Sequence, residues 1–149
     1  MNRREELIGH VKNFFKEKAK HFHLETVFLY GSWARGFPRE DSDIDIAVVF
    51  AQEPPSEDEI FNIMTNISLD LTKKIGLEVN VIPIFPDFRK PMLYYNAIVL
   101  GIPVFVSNSD RYIDLKNEAI YQMEDFSIFG INWQLKVAKD NLEELKKHA

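Results

Sequence analysis

Ten residues separate Ser32 from Asp43, and strand-like runs frame both ends of that interval. The first run, Thr26-Val27-Phe28-Leu29-Tyr30, stops at a Gly31-Ser32 turn. The second, Ile44 to Phe50, opens with Asp43 and Asp45 at i and i+2. So short a connection allows antiparallel or mixed pairing of the two runs. Side chains alternate faces along a strand, so Asp43 and Asp45 point the same way. Two carboxylates side by side repel unless a positive charge sits between them, and hard oxygen ligands at this spacing suit Mg²⁺. The Gly-Ser turn offers backbone N–H groups and a hydroxyl to a phosphate. Together these point to phosphoryl or nucleotidyl transfer.

The remaining elements follow from periodicity. Leu7, Ile8, Val11, Phe14, Phe15, Ala19 and Phe22 fall at helical spacing and predict a first amphipathic helix. After the Asp-x-Asp strand, Ser56 and Glu59 form a capping box. The helix behind it carries Ile60, Met64, Ile67, Leu71 and Ile75 on one face, and Gly76 ends it. A third strand is expected over Leu77 to Ile84, a short helix from about Met92 to Leu100, and a fourth strand over Pro103 to Val106. Ser109 or Asp110 caps a further helix to about Phe126. Alternating strands and helices indicate an α/β fold. The chain shows no internal repeat, low-complexity tract or long linker.

Its 149 residues suit one domain with a sizeable core. A net charge of −5 argues against a long nucleic-acid substrate, which wants a basic face, although a local basic patch is compatible with it. The absence of cysteine excludes disulfides and thiolate metal sites. The N-terminus leads into a helix rather than a signal peptide, and no apolar run spans a bilayer. The expectation is a cytoplasmic protein without membrane contact.

The wording Gly31-Ser32-Trp33-Ala34-Arg35-Gly36, then Asp41-Ser42-Asp43-Ile44-Asp45, resembles the signature of the DNA polymerase beta-like nucleotidyltransferase superfamily, in particular its minimal nucleotidyltransferase (MNT) branch. The resemblance covers roughly residues 5 to 126. It implies a short mixed sheet with helices mainly on one face, C-terminal helices, and the metal site on the other face. Residues 1–126 are then the minimal nucleotidyltransferase domain, with 127–149 a helical extension of that domain or a partner-binding helix. The resemblance further implies that Gly31 and Ser32 contact the triphosphate of ATP, and that Asp43 and Asp45 hold Mg²⁺. Arg35 either reaches a phosphate or pairs with Glu40 or Asp41. Members of this branch are often antitoxins paired with a HEPN-domain ribonuclease toxin. The implied activity is transfer of AMP from ATP to a hydroxyl, with a toxin tyrosine as acceptor.

The chain departs from the family on the third strand. A third carboxylate usually sits there, and the alignment places Asn80 at that position. Asn offers a carbonyl oxygen to a metal but carries no charge and cannot act as a base. Glu78, two residues earlier, lies on the same face and about 7 Å along the strand, and is a candidate substitute. In a two-metal mechanism one ion holds the nucleotide phosphates and the other activates the attacking hydroxyl. Loss of the third carboxylate weakens the second ion more, so nucleotide binding is better supported than fast chemistry. A catalytically weak protein that neutralises its toxin by binding is therefore the alternative. A small-molecule (antibiotic) nucleotidyltransferase is a third reading, for which the chain has little beyond the minimal unit.

Other residues carry weaker signals. His21 and His23 are expected to cap carbonyls or face water, His10 to lie on a helix surface, and His148 to sit in the tail. Tyr121 and Asp125 share a helix face; the Tyr is expected in the core, and the alternative is a place near the partner. Phe85, Phe88, Tyr94 and Tyr95 read as core or interface, or else as an adenine-stacking wall. Ile131, Leu135, Ala138, Leu142 and Leu145 are spaced four, three, four, three, a heptad-like seam. That seam either packs on its own domain or grips a partner or a second copy, with Gly130 as a possible hinge before it.

Overall fold

A computed structural model describes residues 2–36, 38 and 42–147, the Phe129 side chain excepted. Glu40, Asp41 and His148 lie outside the described residues, and with them the alternative in which Arg35 pairs with Glu40 or Asp41. Four strands form a mixed sheet: β1 (Leu24–Tyr30), β2 (Ile44–Phe50), β3 (Val79–Pro83) and β4 (Ile102–Val106), in the order β3-β2-β1-β4. β1 pairs antiparallel with β2 and β4, and β2 pairs parallel with β3.

Helix α1 (Arg3–Lys18) and helix α3 (Glu57–Ile75) bury their apolar stripes on one face of the sheet. Leu7, Val11 and Phe15 of α1 and Ile67 and Leu71 of α3 meet Val27, Leu29, Ile46 and Val48 there. The Ser56 hydroxyl caps α3 by accepting from the Glu59 amide at 3.2 Å. Ser68 then donates to the Val79 carbonyl at 2.6 Å, tying α3 to edge strand β3. Parallel pairing of β2 and β3 follows from this placement, because a parallel partner needs a crossover and α3 supplies it.

The opposite face is not bare. Helix α4 (Pro91–Ile98) and the first turns of helix α5 (Ser109–Lys147) cover one end of it, packing Tyr94, Ala97, Ile98 and Ala119 onto Phe28 and Ala47. Among the described residues nothing covers the other end, where β2 begins and where Asp43 and Asn80 are exposed. The expected mixed sheet and C-terminal helices are the observed fold, while α4 and α5 share the second face rather than leaving the helices mainly on the first.

Three local expectations need correction. β3 is shorter than Leu77 to Ile84: it runs from Val79 to Pro83, although the Ile84 amide still donates to the Val48 carbonyl at 2.8 Å. The stop near Phe126 and the hinge at Gly130 are absent: α5 is one helix of 39 residues that runs through Gly130. A lone glycine costs only about 1 kcal/mol in a helix interior, and the helix-forming residues on either side outweigh it. Tyr121 is 63% exposed rather than in the core. His21 and His23 face water as expected.

Candidate active site

The open end of the second sheet face is built by register. Tyr30 of β1 stands opposite Asp45 of β2, and Asp45 stands opposite Asn80 of β3. The three side chains form a row across adjacent strands, with Asp43 two residues before Asp45 on the same face. Asn80 Nδ2 lies 3.4 Å from Asp45 Oδ1 and 3.5 Å from Asp43 Oδ2, so one amide donates toward both carboxylates.

Gly31 closes the site from β1. Its φ of +77° is the left-handed region that glycine enters without a side-chain penalty. A Cβ built on it would overlap Oδ2 of Asp45. Glycine is thus required twice, for the turn and for the approach of the carboxylate. The chain then enters a four-residue helix, α2 (Ser32–Arg35), where the sequence predicts a Gly-Ser turn. Ser32 begins it beside Asp45's neighbour Gly31, and Arg35 ends it with its side chain in solvent.

Residues that sequence reasoning passed over hold α2 in place. Trp33 is 2% exposed, and its indole N–H donates to the Ser42 carbonyl at 2.9 Å. The ring therefore anchors the chain one residue before Asp43. Arg4 of α1 donates through Nε to the Trp33 carbonyl and through Nη2 to the Ala34 carbonyl, both at 2.8 Å. Those carbonyls have no intrahelical partner at the end of so short a helix, and a cation there also suits the dipole. Arg3 adds its guanidinium above the Trp33 ring at 5.9 Å. The detectable signal was an Arg-Arg pair at the head of an amphipathic helix and a Trp inside the glycine motif.

The electrostatics reflect crowding of negative charge. Burial pushes the Asp45 carboxyl above its ordinary range; the Asn80 hydrogen bond pulls it back, and Asp43 raises it again. Burial, with Asp45 opposite, pushes the Tyr30 phenol up to about 12, so it stays protonated at any working pH. Among the described residues no three His, Cys, Asp or Glu side chains gather to hold a metal. The donor set is two carboxylates and an amide, which a half-turn of Asn80 converts to three oxygens. Two crowded carboxylates with only a neutral amide between them fit a divalent cation of the Mg²⁺ type.

Glu78 stands apart from this set. Its side chain is exposed and makes no hydrogen bond or ion pair among the described residues, while its carbonyl accepts from the Ile44 amide at 2.8 Å. The aromatic cluster is also elsewhere. Phe88 and Tyr94 are buried against each other edge to face, the core alternative of the two considered. Arg89 covers the Phe85 ring at 4.1 Å while pairing with Asp87 at 2.9 Å. Phe85 follows Asn80 by five residues, about 16 Å along an extended chain.

Comparison with known proteins identifies the family and the fold. Residues 10–110 match the family model described as "Polymerase beta, Nucleotidyltransferase". A Methanocaldococcus jannaschii protein provisionally named protein adenylyltransferase MJ1215 is 38% identical over 65 residues, which are 40% of this chain and 74% of that one. A solved toxin–antitoxin complex with AMP-PNP superposes at a TM-score of 0.66 and 16% identity, covering 85% of this chain and 98% of its own. A complex of a tri-AMPylated Shewanella oneidensis HEPN toxin with an MNT antitoxin superposes at 0.61 and 14% identity, covering 88% and 98%. At these identities the solved structures speak for the fold. No helix among the described residues is long and apolar enough to cross a membrane.

Proposed function

The chain belongs to the polymerase beta nucleotidyltransferase family, and from that premise we propose that it is an antitoxin that transfers AMP from ATP to a tyrosine hydroxyl of a cognate HEPN ribonuclease toxin. The observation that carries the reading is the alignment of Asp43, Asp45 and Asn80 beside the Gly31-Ser32 turn at the open end of the sheet. Gly31 and Ser32 bind the triphosphate, and Arg35 is free to swing toward it. Asp43 and Asp45 would hold Mg²⁺, and Asn80, with its amide turned, would offer its carbonyl as a third oxygen. When bound, the ion offsets charge on the phosphates and orients them. The acceptor oxygen bonds to the α-phosphorus, the bond to the bridging oxygen of the β-phosphate breaks, and pyrophosphate leaves with that electron pair. The hydroxyl proton passes to water, because Asn80 has no basic atom to take it. Most of the acceleration in such transfer comes from positioning and charge stabilisation, which this arrangement supplies.

Asn80 also supports a second reading. With a neutral amide where the family has a carboxylate, the transfer is slow and the protein neutralises its toxin chiefly by covering it. One experiment separates the two. The purified pair is incubated with ATP and Mg²⁺, and the toxin is weighed by mass spectrometry. An adenylyl adduct on a toxin tyrosine that disappears in Asp43→Asn supports transfer. An unmodified toxin that is nonetheless inhibited supports masking.

A further inference from the structure

Helix α5 leaves the domain with an unpartnered apolar stripe. Tyr112, Leu115 and Ala119 turn toward the sheet, while Ile128, Ile131, Leu135, Ala138, Leu142 and Leu145 lie on the far side of the helix. Ile131, Leu135 and Leu145 are 57%, 64% and 69% exposed. The seam repeats at alternating steps of three and four, the period of a helix packed on another helix. It runs for about 26 Å. Glu124 at the next seam position ends it toward the domain, and Lys146-Lys147 end it at the other side. Among the described residues the seam from Ile131 to Leu145 is exposed throughout, so a second helix can lie along that length.

We propose that the occupant is α5 of a second copy, running antiparallel. In that register Ile128 meets Leu145 of the other copy, Ile131 meets Leu142, and Leu135 meets Ala138. The one small residue of the seam thus faces a large one, and no layer is left hollow. The flanking positions also match. Lys146 falls beside Asp125 of the other copy, Lys139 beside Asn132, and Gln134 beside Asn141, with no like charges opposed. A parallel pair instead sets Ala138 on Ala138 and leaves Asp125 without a basic partner. At the root of the seam a groove of about 390 Å³, lined by Pro91, Gln122, Asp125, Phe126, Ile128 and Asn132, opens where Leu145 and Lys146 of the other copy arrive. The dimer holds its two nucleotidyltransferase domains at opposite ends of a shared helical rod, with both candidate sites unobstructed. This does not depend on transfer chemistry, so its failure would leave the proposed function standing.

The chain has no cysteine of its own, which gives a clean test. Full-length Ile131→Cys and Leu142→Cys proteins are prepared separately and treated with oxidised glutathione, alone and mixed. The antiparallel dimer gives a disulfide-linked product in the mixture and little in either protein alone. Sedimentation equilibrium on the native protein should show a dimer, and Leu135→Glu should be monomeric with unchanged nucleotide affinity. Asp125→Lys and Lys146→Asp should each weaken the dimer by about threefold to tenfold, and the double variant should restore it. Cross-linking within each single protein overturns the antiparallel register. A native monomer at all concentrations overturns the proposal, including the case in which Ile131 and Leu142 become protected only when the toxin is added.

Discussion

The amide of Asn80 sits 3.4 Å from a carboxylate oxygen of Asp45, its direct neighbour across the β2–β3 ladder. In the site proposed to hold Mg²⁺, a neutral hydrogen-bond donor occupies the next strand. That amide donates toward two crowded carboxylates at once, and under the proposed function it sets the limit on a second ion.

Asn80→Asp tests that limit. A third carboxylate beside Asp43 and Asp45 creates a place for a second Mg²⁺, and stabilisation of developing charge by several kcal/mol is typical of such an ion. Each ~1.4 kcal/mol is tenfold in rate, so adenylyl transfer to the toxin should rise about tenfold or more. Glu78→Gln is measured alongside. No change in Asn80→Asp together with loss of activity in Glu78→Gln would make Glu78 the third ligand.

The raised Asp45 carboxyl makes stability depend on pH. Burial, the largest cause, and the charge of Asp43 together outweigh the Asn80 hydrogen bond, so the folded chain holds this proton more tightly than the unfolded one. Stability attached to the group is present at low pH and is lost as pH rises through the raised value; it does not return above it. At neutral pH without metal, Asp45→Asn should therefore melt at a higher temperature than the native protein. The gap should close as the medium is acidified below the ordinary carboxylate range, and Mg²⁺ should narrow it by stabilising only the native site. Thermal melts of both proteins over that pH range, with and without Mg²⁺, decide it. A lower melting temperature for Asp45→Asn at neutral pH would mean the carboxylate is stabilised, not strained.

Removing the Arg4 clamp should act at a distance. Arg4→Met takes two charge-assisted hydrogen bonds from the end of α2, a loss of about 1–3 kcal/mol in chemical denaturation. Because α2 begins at Ser32, affinity for ATP should also fall, and Arg4→Lys should recover part of both losses. Calorimetric titration with unchanged affinity in Arg4→Met would separate the clamp from the site.

Gly31→Ala should be more damaging than an ordinary surface change. The new Cβ meets the Asp45 carboxylate and must adopt a positive φ. The combined strain should cost at least about 1 kcal/mol and displace Asp45. Mg²⁺-dependent ATP binding should be lost while circular dichroism keeps its native form. Binding that survives the substitution would show that Asp45 is not the anchoring ligand.

Truncation after residue 130 asks whether 127–149 belongs to the domain. The side chains from 131 to 147 are exposed and leave the core untouched. At concentrations where both proteins are monomeric, the truncated chain should melt within a few degrees of the full one. A large drop would show that the helix packs on its own domain.

Much of this molecule is determined locally. The two strand-like runs, the capped helix at Ser56 and the Asp-x-Asp pair each depend on neighbours a few residues apart, and period and turn chemistry make them legible. The row Tyr30, Asp45 and Asn80 was only partly so: alternation put each side chain on a face, but β-sheet register set them abreast. The clamp of Arg4 on α2 joins residues about thirty positions apart and has no local signature. The same holds for α5. Its heptad spacing was visible in the sequence, but whether that stripe met its own domain depended on where α4 and the sheet lay. The tertiary structure sends the helix past them: its packing on the core ends at Ala119, and among the described residues the side chains from 131 to 147 are exposed.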